Sequence, residues 1–250
     1  MISVALATYN GQKYIITQLT SILSQLSATD EVIISDNYST DDTIQLIESL
    51  DDKRVKIFYQ KQVSKSELVN CIKNFENALS ICRGDFIFLS DQDDIWVNNK
   101  VNICVEKLKT YDVLVTDCFI IDDTKNVILN SYFSRRHSGK GIFKNLFLNT
   151  YVGSCMVFKS KVLKIALPFP ENIPMHDILI GLIGDLFFKV HFLPLQLSFY
   201  RNHGNNVSDT ISGKSKFSLM HQLFFRWNTV RYIPLLLFRK LRLKNFELNA

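Results

Sequence analysis

Cysteine is sparse in this 250-residue chain, and so is any arrangement that would give it structural work. Cys71, Cys82, Cys104, Cys118 and Cys155 are odd in number, lie far apart and form no Cys-x-x-Cys pair. That argues against a disulfide framework and a zinc site, and for a reducing compartment. The nine glycines build no Gly-x-Gly-x-x-Gly after the first strand and no Gly-x-x-x-x-Gly-Lys-Ser/Thr anywhere, so a dinucleotide oxidoreductase and a P-loop nucleotidase both lose their signatures. No apolar run reaches the roughly 20 residues of a membrane span. Residues 1–10 meet polar side chains too early for a secretory leader. The expectation is a protein that is neither secreted nor membrane-spanning. Repeats and low-complexity segments are absent too.

Against that background one stretch is dense with information. Phe86, Ile87, Phe88 and Leu89 read as a strand buried on both faces, and Asp91, Asp93 and Asp94 follow where it ends. Three carboxylates in four positions repel one another unless solvent, hydrogen bonds or a cation compensates. Either this is a solvated acidic turn or it helps hold a hard divalent ion, Mg²⁺ or Mn²⁺. Such an ion takes one or two carboxylates and completes its shell with waters and substrate phosphates.

The first 110 residues alternate strand and helix. Strands are expected at 3–8, 31–35, 55–59 and 85–90, and helices at 14–26, 74–82 and 99–110, with Ser39 or Thr40 capping a further helix whose first turn carries Asp41 and Asp42. This is the mark of a doubly wound α/β layer with a mainly parallel sheet, whose ligands lie at the carboxyl ends of the strands. The polar clusters at 8–10, 36–43 and 91–94 all follow strands and would share that edge. The second half is less regular: strand at 113–121, loop at 126–140, a short strand at 153–158, an apolar helix from His176-Asp177 to about Leu186, and strand at 190–200.

Six segments in order and spacing resemble the bacterial family 2 glycosyltransferases over residues 1–208. They are Val4-Ala-Leu-Ala-Thr-Tyr-Asn-Gly11, Ile34-Ser-Asp-Asn-Tyr-Ser-Thr-Asp-Asp-Thr43, Asn74-Phe-Glu76, Ser90-Asp-Gln-Asp-Asp-Ile-Trp96, Met175-His-Asp177 and Tyr200-Arg-Asn-His-Gly-Asn-Asn206. The fourth resembles the rhamnosyltransferase-like branch. The resemblance implies a GT-A fold, Rossmann-like, a nucleotide-diphosphate sugar donor and inversion at the anomeric carbon. Donor contacts are implied for Thr8, Tyr9, Asn10, Asp36, Asn74, Asp91, Gln92 and Arg201. A divalent metal is implied at Asp91, Asp93 and His203, acceptor contacts at Gly153, Ser154 and His176, and a catalytic base at Asp177. The chain departs from the family in Asn37-Tyr38, where Asp-Gly is commoner.

Chemistry makes sense of these roles. As the diphosphate departs, a cation that neutralises its charge lowers the barrier, and a base is needed on the opposite face of the sugar. Asp177 beside Ile173, Met175 and Ile178 is placed for a raised pKa. An acid opening a helix also meets a favourable dipole whether or not it catalyses anything. Phe75 and Trp96 read as core residues rather than sugar platforms.

The net charge of +5 is unevenly spread. Residues 214–250 hold eight basic side chains against Glu247, leaving 21 basic and 23 acidic residues in 1–213. That balance argues against a nucleic-acid partner. Residues 217–243 mix aromatic and aliphatic side chains with Arg and Lys, the composition of helices lying at a membrane interface, with Pro234 splitting them in two. Packing on the body or on a second subunit would use the same composition, and a monomer and a homodimer are both compatible. The expected layout is a catalytic domain over 1–210, gripping donor over about 1–110 and acceptor over about 111–210, and a C-terminal helical, basic amphipathic tail at 211–250. The expected function is transfer of a sugar, such as rhamnose, glucose, galactose or an N-acetylhexosamine, to a lipid-linked saccharide at the cytoplasmic face of the inner membrane. A nucleotidyltransferase and a non-catalytic sugar-nucleotide-binding module are the alternatives.

Overall fold

The structure is a computed structural model that describes residues 1–203 and 218–248. Gly204 to Ser208, Lys214, Lys216, Phe217 and the side chains of Leu219 and Glu247 lie outside the described residues.

The four strands expected in the first half, β1 (Ile2–Thr8), β2 (Glu31–Asp36), β3 (Val55–Tyr59) and β4 (Phe86–Asp91), pair in parallel in the order β3-β2-β1-β4. They are connected by α1 (Ile15–Leu23), α2 (Thr43–Glu48) and α3 (Glu67–Ile81). Beyond β4 the sheet becomes mixed. β8 (Met156–Lys159) runs antiparallel to β4 and to β6 (Val113–Ile121), and β6 lies parallel to β9 (Val190–Arg201). β7 (Val127–Leu129) hangs on β6, and β5 (Ile95–Trp96) closes the far edge against β9. The chain thus leaves β4 at Asp91 and four residues later is paired at the opposite end of the strand order, so the sheet must curl. Asp91 to Asp94 span that closure.

β1 buries both of its faces: Val4 and Leu6 meet α1 and α4 (Lys100–Leu108) in one core, and Ala5 meets α3 and α8 (His176–Phe187) in the other. A two-sided strand needs a near-continuous apolar sequence, which is why the β1 and β4 runs were legible.

Several local expectations are corrected. α2 starts at Thr43, so neither Ser39 nor Thr40 caps it; Asp41 accepts the Thr43 N–H at 3.1 Å, and the Ser39 hydroxyl is spent on Asp36 at 2.5 Å. α3 starts seven residues before the expected 74. Asn70 turns inward there to hold Val63 N, Ser64 N and Ser64 O, and an inward polar residue blurs the helical period. The segment read as loop at 126–140 contains β7 and α5 (Tyr132–Arg136), the latter capped by Ser131. Residues 153–155 form a 3-10 turn before β8 rather than part of the strand.

After α6 (Ile142–Phe147), α7 (Leu163–Ala166) and α8 come α9 (Leu219–Val230) and α10 (Ile233–Leu248). The break falls at Arg231 and Tyr232, not at Pro234, which sits in the first turn of α10 where a missing N–H costs nothing. These helices rest on the body: Leu236 is fully buried, Arg239 donates to the carbonyls of Ile165, Ala166 and Pro168, and Tyr232 bonds the Glu171 carbonyl.

Candidate active site

The carboxyl ends of β1, β2 and β4 form one continuous edge, tied by polar side chains rather than apolar packing. The Gln92 carboxamide accepts from Thr8 Oγ1 at 2.6 Å and Tyr9 N at 2.9 Å, and donates to the Tyr9 carbonyl at 3.2 Å. A Cβ at Gly11 would lie 2.4 Å from Gln92 Oε1, so a side chain there would push the carboxamide off Thr8 and Tyr9. Asn10, at φ 50°, receives Thr40 N at 2.8 Å, and its own N–H goes to Ser39 Oγ at the same distance. Asp36 is fully buried at the end of β2 and accepts the Ser39 N–H and hydroxyl. Asn74, on α3, donates to the Thr8 carbonyl at 3.0 Å, while its carbonyl oxygen finds no partner among the described residues.

Tyr38 adopts φ 60°. In that left-handed conformation a bulky side chain costs about 1–2 kcal/mol. Its ring tilts against Tyr59, 5.5 Å away, with both rings more than half exposed.

The acid cluster is buried and self-repelling. Asp94 is almost wholly enclosed, and burial together with Asp93 pushes its carboxyl up to about 7, against the restraining effects of Ser154, the Arg201 N–H and Lys100. Asp91 is half-buried at the end of β4, yet burial, then Asp94, Asp93 and Asp177, hold its carboxyl well above the usual range. Among the described residues Asp94 Oδ2 has no well-aligned hydrogen-bond partner.

Two cations and an imidazole answer these charges. His203 Nε2 stands 2.7 Å from Asp93 Oδ2, which raises the imidazole pKa. Arg201, buried, gives its N–H to Asp94 at 3.0 Å and its Nε to the Asp93 carbonyl at 2.9 Å, with the guanidinium 4.7 Å above the Tyr14 ring. Lys100, fully buried, donates to Ser198 Oγ at 2.6 Å and the Ser154 carbonyl at 3.2 Å. Among the described residues no three His, Cys, Asp or Glu side chains form a ready-made metal cage. A crowded carboxylate pair with one imidazole nonetheless suits a hard ion that takes the rest of its shell from water and phosphate.

Asp177 faces this cluster from the start of α8. It is buried, accepts the Ile178 N–H at 2.6 Å and that of Gly153, and burial pushes its carboxyl up to about 7. His176 lies beside it, stacked on Phe75 at 3.8 Å, with neither ring nitrogen bonded among the described residues; burial lowers its pKa to about 3. Gly153, Ser154, His176 and Asp177 are therefore one node, and Asp91, Asp93, Asp94, Arg201 and His203 another, within electrostatic reach of each other.

Sequence reasoning missed Lys100, Tyr14 and Asp123. Lys100 carried a signal: a cation in the first turn of a helix sits at the unfavourable end of the dipole and needs a reason. Tyr14 Oη donates to Asp123 Oδ1 at 2.7 Å across 109 residues of chain, and nothing local marks that pairing.

The Glycosyl transferase family 2 model matches residues 3–165. Curated relatives include the Escherichia coli UDP-Glc:alpha-D-GlcNAc-diphosphoundecaprenol beta-1,3-glucosyltransferase WfaP, 34% identical over 116 residues, covering 45% of this chain and 43% of that protein. The Shigella flexneri dTDP-rhamnosyl transferase RfbG is 33% identical over 110 residues, covering 41% of this chain and 36% of that protein. The chain spans less than half the length of these relatives. Among solved structures, S. aureus TarS 1-349 in complex with UDP-GlcNAc superposes with a TM-score of 0.66 at 19% identity, covering 93% of this chain and 72% of that one. A mannosyltransferase from Pyrobaculum calidifontis in complex with GDP-Man and Mn²⁺ gives 0.58 at 16% identity, covering 82% and 58%. Those likenesses establish the fold as GT-A.

Proposed function

The chain belongs to glycosyltransferase family 2, and from that premise we propose that it is an inverting enzyme moving one sugar from a nucleotide-diphosphate donor to a lipid-linked saccharide during assembly of a bacterial surface polysaccharide. Glucosyl- and rhamnosyl-transferring relatives make those two sugars the first donors to try. The family sets the nucleotidyltransferase alternative aside. Residues 1–210 act as the catalytic unit, working at the cytoplasmic face of the inner membrane, with 211–250 appended.

One observation carries the reading. A buried carboxyl with its pKa near 7, held by two backbone N–H groups, faces a cluster of acids whose mutual repulsion calls for a cation. Mg²⁺ or Mn²⁺ at Asp91, Asp93 and His203 would supply neutralising charge to the departing diphosphate. Thr8, Tyr9, Asn10 and Asp36 line the edge for base and ribose, with Gln92 holding the first two in place. Arg201 and Asn74 border the donor, while Gly153, Ser154 and His176 border the acceptor. Asp177 takes the proton from the acceptor hydroxyl as that oxygen bonds to the anomeric carbon. The sugar–phosphate bond breaks on the opposite face, and the diphosphate leaves with its electron pair.

The test is thermal stabilisation of the purified protein by UDP- and dTDP-sugars with Mn²⁺, coupled to product detection. A donor at 100 times its dissociation constant adds about 2.7 kcal/mol. Asp177→Asn should keep that stabilisation and lose transfer. Stabilisation without transfer in the parent would identify a binding module, transfer surviving in Asp177→Asn would remove Asp177 as the base, and no response to any nucleotide sugar would sink the proposal.

A further inference from the structure

α9 is folded inside out. Met220, Leu223, Phe224, Trp227 and Val230 recur at helical spacing along one side, and all are exposed, Met220 to 75% and Trp227 to 63%. The side that faces the body instead carries Asn228 and Thr229, both buried, and neither polar atom of the Asn228 carboxamide finds a partner among the described residues. An amphipathic helix of a globular protein turns its apolar stripe inward. α10 buries Leu236 against the body but also carries Leu237, Phe238 and Leu241 outward. α6 joins the same face: Phe143 is 80% and Phe147 71% exposed, and Arg226 of α9 donates to the carbonyls of Leu146 at 3.1 Å and Phe147 at 3.4 Å.

We propose that α6, α9 and α10 together form a docking face for an anionic lipid bilayer. The inference rests on the lipid-linked acceptor proposed above and deepens it. It places the contact on a composite surface that includes part of the catalytic unit, rather than on a free tail.

Charge selects the occupant. Residues 142–147 and 219–248 hold seven Lys and Arg against one acid, Glu247; Arg226 and Arg239 are spent on backbone carbonyls, while Arg242 and Lys244 are exposed. Exposed aromatics interleaved with cations match head-group depth over an anionic surface. A second copy of the chain would bring the same positive face to the contact and be repelled.

The face is also built into the catalytic node. Asn228, Thr229 and Tyr232 border Ile178 and Leu182 of α8, the helix that begins with His176 and Asp177. From α6 the chain runs directly into Gly153, whose N–H holds Asp177. A bilayer against α6 and α9 would therefore present a lipid-anchored acceptor on the side of the base.

Trp227 is a built-in reporter, because the other tryptophan, Trp96, is buried. In the full chain carrying Trp96→Phe, vesicles with about 30% phosphatidylglycerol should shift Trp227 emission to the blue and expose it to quenching by acyl-brominated lipid. Neutral phosphatidylcholine vesicles, or ~0.5 M salt, should weaken binding about tenfold or more. Phe143→Ser with Phe147→Ser should weaken it by a similar factor and leave nucleotide stabilisation unchanged. If Trp96→Phe fails to fold, the parent protein gives the same readout over a constant background.

Three results would overturn the proposal: no vesicle binding, unchanged binding in the double Ser variant, or a blue shift without vesicles accompanied by a doubling of mass in light scattering. Vesicle binding needs neither donor nor acceptor. Binding without sugar transfer would retire the proposed function alone, and transfer to a water-soluble acceptor without vesicle binding would retire this face alone.

Discussion

Gly153 and His176 are in contact at the limit of what either can accommodate: a Cβ added to Gly153 would lie 2.7 Å from His176 Nε2 and 3.7 Å from the Asp177 Cβ. His176 has little room to retreat, because it is buried and its ring is stacked on Phe75 at 3.8 Å. Gly153→Ala should therefore displace the start of α8 and with it Asp177. The expected result is a fall of about tenfold or more in turnover, since misplacing a base by an ångström costs on the order of 10²-fold. Donor-induced stabilisation should survive, because the donor edge lies on other strands. Steady-state kinetics with a parallel melting curve decides it; unchanged turnover would show that His176 yields instead.

The pH behaviour of Asp177 follows from its burial. The carboxyl must be ionised to act as a base, and it titrates near 7 in the folded protein. Turnover should climb about tenfold per pH unit below that value and level off above it. Stability carries the opposite sign. Between the unfolded pKa of about 3.9 and 7, the folded state binds more proton than the unfolded one, so the contribution of Asp177 to stability falls as pH rises through that window. Asp177→Asn removes the effect. The variant should gain on the parent between pH 4 and 8 in denaturant titrations; a constant difference would mean that Asp177 has an ordinary pKa.

How much of this was legible follows from which features are local. β4 and its acids were readable because burial on both faces forces an unbroken apolar run and the strand end forces the polar switch. The raised pKa of Asp177 was readable from the apolar Ile173, Met175 and Ile178 beside it. Gln92 was read as a donor contact, but its hydrogen bonds go to Thr8 and Tyr9, residues 83 and more positions away. No pattern inside residues 84–96 encodes that pairing. α6 escaped notice because Phe143 and Phe147 face outward, so the four-residue spacing that marks a helix had no buried partner to give it meaning. The tail was legible in composition, but its inversion was not: only the structure tells which side of α9 faces the body.

Lys100 should prove essential to the acid cluster. Its ammonium is fully buried, donates to Ser198 and Ser154, lies 4.7 Å over the Trp96 ring and restrains the rise of the Asp94 pKa. Lys100→Met keeps most of the volume and deletes the charge, leaving three crowded carboxylates with one cation fewer. Removing one member of a buried charge network costs about 3–5 kcal/mol. Urea unfolding should show a loss of that order, and Mn²⁺ should restore more stability to the variant than it adds to the parent. A variant as stable as the parent without metal would show that Lys100 only fills space.

Tyr14 joins three segments that bring the second acid node together. Its hydroxyl donates to Asp123 at 2.7 Å, its ring stacks on His203 at 5.5 Å between centroids, and the Arg201 guanidinium lies over its face at 4.7 Å. Two substitutions separate these contacts. Tyr14→Phe removes only the hydrogen bond to a largely exposed carboxylate and should cost about 1 kcal/mol. Tyr14→Ala also removes the ring that Arg201 and His203 pack on, with a further loss of about 1–2 kcal/mol from the cation–π contact and burial. Because His203 pairs with Asp93, the Ala variant should need several-fold more Mn²⁺ for half-maximal nucleotide-dependent stabilisation, whereas Phe should match the parent. Equal metal requirement in all three proteins would show that the ring supports the fold without positioning His203; a raised requirement in Phe would transfer that role to the Asp123 hydrogen bond.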